Sequence, residues 1–397
     1  MTFTAAQGSP TTITASSSTL GCIVFQSTVT SVPMTFTGSS FSQSCHFIEF
    51  DNTVSSSTVI VEGGCVHNIP GYSAIYGYST FSNFLLRWDT SQLTTTGSSN
   101  AFYLTAAATA TISVTNCNGV RQLKTGGTGL VVANGGTQIT FLVVSSTITS
   151  GSGTFQSGTA TTVTISATST SFLAGTTNMY FTGSVTSLWM YSQTSLITAY
   201  GGSNVIVNSN MASSTITCYS SSTFSATGNG ISVVGAITSS SFTITSASYW
   251  NTGSVGIYAG SLNTVNLLIT SSSAWYTAAS GFVVGGAASN LGITTLNSAS
   301  WTNGGVGLSI GGAATTVNVL VQGNAGIFST DQNFYIMGAA TSVSITITST
   351  GSSDAVRITS TSFHWWCGDD GECSCARERW YFLNGSKFLH YGRCHFR

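Results

Sequence analysis

Apolar residues return along this chain at a near-constant interval, and that periodicity limits the fold more than any other feature. The segments Gly230-Ile231-Ser232-Val233, Gly256-Ile257-Tyr258-Ala259, Gly281-Phe282-Val283-Val284 and Gly307-Leu308-Ser309-Ile310 align, and Phe334-Tyr335-Ile336 continues them. Their first apolar residues are 26, 25, 26 and 26 positions apart. Backwards, the same column holds Val205, Met179, Phe155, Leu130, Phe102, Ile75, Ile48 and Ile23, with steps of 24 to 28.

Two residues after each comes a second apolar side chain in most repeats, as at Phe25, Phe50, Leu104 and Ile310. A period of two marks a strand with one buried face. A second such pair follows about eleven residues on, for example Met34/Phe36, Phe141/Val143, Phe242/Ile244 and Val319/Val321. A third column holds Phe224, Trp250, Trp275, Trp301 and Ile327. Each repeat therefore reads as three short strands separated by Gly/Ser/Thr/Asn corners.

The predicted fold is all-β: a single-stranded parallel β-helix, a solenoid of about thirteen coils of roughly 26 residues. Coils spaced about 4.8 Å apart predict a rod on the order of 60 Å long. An antiparallel β-sandwich would also use many short strands, but it has no reason to repeat a fixed interval over a dozen turns. The expected organisation is a lead-in over residues 1–19, the solenoid over 20–363 and a distinct tail over 364–397.

Over residues 20 to 363 the architecture resembles the pectin-lyase-like superfamily of parallel β-helices, which includes polysaccharide lyases and hydrolases, tailspikes and surface adhesins. The resemblance implies a right-handed helix with strands stacked in register. It rests on repeat architecture and carries no catalytic motif.

Composition then removes functions. Charged residues are 5% of the chain, against about 25% in an ordinary globular protein. The net charge of −1 and the lack of a basic stripe leave nothing to attract a phosphate backbone, so no nucleic-acid partner is expected. No run of about 18 apolar residues offers a transmembrane segment. The opening MTFTAAQGSP shows no secretion signal, and a third reading is a fragment of a larger surface protein whose signal and anchor lie outside the given frame. A nearly uncharged surface lacks colloidal repulsion, which predicts self-association, surface partners or sugars.

From residue 125 to residue 330 there is no Asp, Glu, His, Lys or Arg. Glycoside hydrolysis uses paired carboxylates, and β-elimination needs a base, so any catalytic site is confined to the first four coils. His46, Glu49, Asp51, Glu62 and His67 fall on neighbouring coils there and read as a polar cluster, a weak cation site or solvated charge at one end of the stack. No catalytic residue and no cofactor is assigned. Ice binding would need an unbroken file of Thr-x-Thr; Thr243/Thr245 and Thr346/Thr348 fit, but Leu268 and Leu320 interrupt them.

The middle residue of the first strand should face outward. It is Tyr76, Tyr103, Tyr180, Tyr258 and Tyr335 in five coils, a partly aromatic face suited to sugar rings or protein partners. The plain alternative is that Tyr is a good strand residue. Trp250, Trp275 and Trp301 should stack inside.

Cys22, Cys45, Cys65, Cys117 and Cys218 lack metal-ligand spacing and read mostly as small buried hydrophobes. After Phe363 the tail concentrates nine of 19 charges and four of nine Cys. Cys367, Cys373, Cys375 and Cys394 allow an end cap, a Zn²⁺ site or two disulfides, or mark a segment read out of frame. Its Asn384-Gly385-Ser386 is an N-glycosylation sequon. The overall reading is a non-enzymatic extracellular or surface-displayed rod, structural or adhesive, with glycans or surface proteins as partners. The alternative is a carbohydrate-binding or degenerate carbohydrate-processing β-helix.

Overall fold

A computed structural model of the chain describes residues 1–5, 11–331 and 334–349, together with the backbone of strands Arg357–Ser360, Phe363–Trp365, Cys373–Cys375, Arg379–Leu383 and Lys387–Leu389; side chains are described as far as residue 344. The fold is a parallel β-solenoid of about 13 turns of roughly 26 residues. The chain divides into two compact units, Met1–Asn208 and Ser209–Arg397.

In the first unit the leading strands pair in parallel, with Ile23 opposite Ile48, Ile48 opposite Ile75, Ile75 opposite Phe102 and Phe102 opposite Leu130. The file continues through Phe155 and Met179 to Val205. In the second unit Ile231, Ile257, Phe282, Leu308 and Phe334 form the same kind of file. The repeat column of the sequence is thus the register of the sheet. Parallel pairing throughout the described coils rules out the sandwich, whose neighbouring strands run antiparallel.

Pairing begins before residue 20: Thr2–Phe3 lies on Ile23–Phe25, Ile13–Ser16 on Pro33–Thr37, and Thr19–Leu20 on Ser40–Ser42. At the far end Arg357–Ser360 pairs in parallel with Phe334–Ile336 but antiparallel with Arg379–Leu383.

Inward side chains pile on their own kind. Phe3, Phe25 and Phe50 stack with centroids 4.7 and 5.2 Å apart. Trp250, Trp275 and Trp301 are fully buried, at 5.6 and 4.8 Å, so the tryptophan column lies inside. Apolar burial of this kind is the main term favouring the folded coil.

The corners use a device that composition conceals. A residue in the left-handed region, such as Ser145, Thr194 or Ala247, turns the chain, and the next residue buries a hydroxyl. Ser222 N–H donates to Ser248 Oγ, and Ser248 N–H to Ser273 Oγ, each at 3.2 Å. In the first unit Cys117 N–H donates to Ser146 Oγ at 3.0 Å and Thr170 N–H to Ser195 Oγ at 3.1 Å. The hydroxyls of Ser146 and Ser195 also donate within their own coils, to Val144 O and Gln193 O, each at 2.7 Å. A corner amide cannot join the strand ladder, and an unpaired buried amide costs about 1–3 kcal/mol, so a hydroxyl stacked above it satisfies both. Part of the Ser and Thr of the chain is thus internal, forming this ladder.

Cys65 and Cys117 occupy rungs of that ladder: Ser39 N–H donates to Cys65 Sγ at 3.2 Å, and Cys117 Sγ lies 3.1 Å from Thr115 O. They are hydrogen-bonded groups, which refines their reading as plain hydrophobes; burial pushes the Cys117 thiol up to about 11. Cys218 does pack as an apolar side chain, its thiol pushed up to about 12 by burial. Cys22 and Cys45 correct that reading, since they form a disulfide with Cα atoms 6.2 Å apart.

Candidate functional site

Three regions concentrate chemistry, two of them confined to the first unit. Near its start, the five polar residues grouped in the sequence do not converge. Glu49 is the outward middle residue of Ile48–Phe50, in register with Tyr76. Its carboxyl is raised by burial, then by the charge of Asp51 and a hydrogen bond with it. His46 leans on Tyr76 at 4.3 Å and meets Tyr72 edge-on at 5.1 Å. Ser73 N–H donates to its Nδ1 at 3.1 Å, and burial lowers its pKa.

His67 faces the opposite way. It shares the buried face of Val66–Pro70 with Ile69 and packs edge-on against Phe47 and Trp88 at 4.4 and 5.0 Å. Neither ring nitrogen has a hydrogen-bond partner, and burial takes its pKa down to about 3. The expected cluster therefore loses His67 to the core, because strand parity, which sequence proximity ignores, decides the side.

Glu62 and Asp89 belong to another wall. Arg87 lies 3.8 Å from Glu62 and 3.0 Å from Asp89. Burial pushes the Asp89 carboxyl up, but donors on Thr115, Arg87, Asn116 and Thr90 outweigh it and hold the group below the usual carboxylate range. Asp89 is a corner brace whose oxygens are already engaged. Among the described residues no group of three or more His, Cys, Asp or Glu is placed to hold a metal ion.

The second region is the outward face of the leading strands. Tyr76, Tyr103 and Tyr180 in the first unit and Tyr258 and Tyr335 in the second are all half-buried and outward, as parity requires. Tyr76 and Tyr103 stack at 4.7 Å with planes 8° apart. The file is not continuous: Val131 and Gln156 stand between Tyr103 and Tyr180, and Val283 and Ser309 between Tyr258 and Tyr335. Sequence reading missed Tyr72 and Tyr78, which are 41% and 53% exposed and frame the His46–Tyr76 contact, and Trp189, 43% exposed. Trp189 alternates with buried Leu188 and Met190, so its parity was available.

The third is a concavity of about 270 Å³ against Gln156, Tyr180 and Ile206 on three successive leading strands, bordered by Ser152, Thr176 and Thr177 at the corners. Asn208 Nδ2 donates to Tyr180 Oη at 2.8 Å and holds the ring. Thr176 Oγ1 donates to Ser152 O at 2.8 Å, fixing the rim. No ionisable acid, base or His lines it.

The Thr file considered for ice binding is broken in the structure as in the sequence: Thr243 lies opposite Leu268, Leu268 opposite Thr294, and Thr294 opposite Leu320. Of the four tail cysteines, Cys367 and Cys394 lie outside the described residues, and Cys373 and Cys375 fall in a strand described by backbone alone. Asn384 also lies outside the described residues.

The fold defines a class, a parallel β-solenoid with a sparsely charged, partly aromatic outer face. Comparison carries no further: no protein-family model, no curated protein and no solved structure matches the chain. No helix among the described residues is long and apolar enough to cross a membrane.

Proposed function

We propose that this is a non-enzymatic structural or adhesive β-helix, displayed extracellularly or on a surface, making contacts through the outward face of its leading strands. The architecture is compatible with the pectin-lyase-like superfamily. One observation carries the reading: from residue 125 to 330 the chain has no Asp, Glu, His, Lys or Arg, while Tyr, Val, Ile, Gln and Ser occupy the outward positions of the leading strands. Such a face binds by ring stacking and hydrogen bonds. The Cys22–Cys45 disulfide suits an oxidising compartment.

A second reading has one supporting observation. Glu49, its carboxyl raised by burial, by the charge of Asp51 and by a hydrogen bond with it, forms with Asp51 an acid pair near Tyr76 and Tyr78 that could share a proton. It would serve a carbohydrate-processing site in the early coils.

The test is adhesion of the full chain to immobilised glycans and cell surfaces. Replacing Tyr76, Tyr103, Tyr258 and Tyr335 together by Ser should weaken retention by at least about tenfold. Retention should hardly change with salt, because few charges are present to screen. Retention indifferent to the tyrosines, or polysaccharide cleavage abolished by Glu49→Gln, would overturn the non-enzymatic reading.

A further inference from the structure

We infer that the concavity at Tyr180 is a binding subsite for one uncharged sugar ring, a neutral hexopyranose unit; this rests on the contact-face reading above and names its ligand. Sugars present two chemistries at once, an apolar face of C–H groups and a rim of hydroxyls. A site for them needs an aromatic or aliphatic floor with amides and hydroxyls at its edge.

The concavity supplies both. Asn208 Nδ2 donates to the Tyr180 hydroxyl at 2.8 Å, which favours one ring orientation before a ligand arrives. Ile206, in register on the next coil, extends the apolar floor, and Gln156, in register on the preceding coil, stands at the other side. The Gln156 side-chain amide bonds to no described residue and offers both donors and an acceptor. Ser152, Thr176 and Thr177 add hydroxyls at the rim. The Thr176 hydroxyl donates to Ser152 O, which leaves its oxygen able to accept a hydrogen bond from a ligand.

Size and charge narrow the class. A volume of about 270 Å³ lies just under the roughly 300–1,000 Å³ of sites for drug-sized molecules, which suits a single ring. With no cation at the site, a uronate or sialic carboxylate would lose hydration without a counter-charge, so charged sugars are disfavoured. A protein partner would need a far larger contact than this hollow provides.

The test uses the full chain with the methyl glycosides of glucose, galactose, mannose and N-acetylglucosamine at millimolar concentration, and glucuronate as the charged comparison. Binding is read by saturation-transfer NMR and calorimetry. At least one neutral glycoside should bind, with an affinity unchanged between low and high salt. Glucuronate should bind more weakly than methyl glucoside. Tyr180→Ala should weaken binding at least about tenfold, whereas Tyr180→Phe, which keeps the ring, should stay within about fivefold of the parent. Gln156→Ala, on an outward position, should also weaken binding and guards against a folding defect in the tyrosine variant. Failure of every neutral glycoside, or binding unaltered in both Tyr180→Ala and Gln156→Ala, would overturn the assignment. If the glycosides fail while the four-tyrosine variant still loses adhesion, the sugar subsite falls and the contact face stands. If adhesion is indifferent as well, both fall.

Discussion

His67 shows how one buried side chain can set a pH limit. In the unfolded chain a histidine titrates near 6.5; here burial among Phe41, Phe47 and Trp88 takes it to about 3. Between those values the unfolded state binds the proton and the folded state does not, so stability falls as the pH drops from about 6.5 toward 3, by up to about 1.4 kcal/mol per unit. His46, also lowered, adds in the same direction, while the raised Glu49 opposes it. Comparing His67→Phe with the parent isolates one term: urea midpoints measured from about pH 7 to pH 4 should fall less steeply in the variant. Equal slopes would show that His67 is not buried as described. Its inward position was legible, since it sits two residues before Ile69, but the charged neighbours drew attention to the wrong side. The corner hydroxyl ladder was not legible. Ser-Ser and Thr-Ser pairs at left-handed turns look the same as low-complexity linker until the coil above supplies their partner.

The coil itself was written plainly, because a strand face repeats every two residues and a solenoid must return each face to the same side. Why a glycine precedes the leading strand in several second-unit coils needed coordinates. A Cβ on Gly256 would come within 2.2 Å of Trp275 Cζ2 and 2.6 Å of Gly281 O, and one on Gly281 within 2.5 Å of Trp301. The indole of one coil therefore fills the space that a side chain on the neighbouring corner would take. Gly256→Ala should destabilise the fold by about 1–3 kcal/mol through overpacking. Gly21→Ala, where nothing lies within 4 Å, should leave it nearly unchanged. Urea unfolding followed by tryptophan emission reads both, and equal stability of the two variants would contradict the packing of the tryptophan column.

Across the chain, neutrality, repeat and aromatic content point the same way. Net charge −1 with 9 basic and 10 acidic residues leaves little long-range field, so recognition must come from short-range contacts. The outward tyrosines were legible from parity, but the hollow at Tyr180 was not, since it depends on strand and corner residues of successive coils that are scattered in sequence and adjacent only after winding. All of these inferences depend on side chains some 26 positions apart being neighbours. Nitroxide labels on Val283→Cys and Ser309→Cys test that most directly, since the two are register partners on adjacent leading strands. Continuous-wave EPR of the double-labelled chain should show strong dipolar and exchange broadening, as expected for strands about 4.8 Å apart. A spectrum equal to the sum of the two singly labelled chains would contradict the stacked coil.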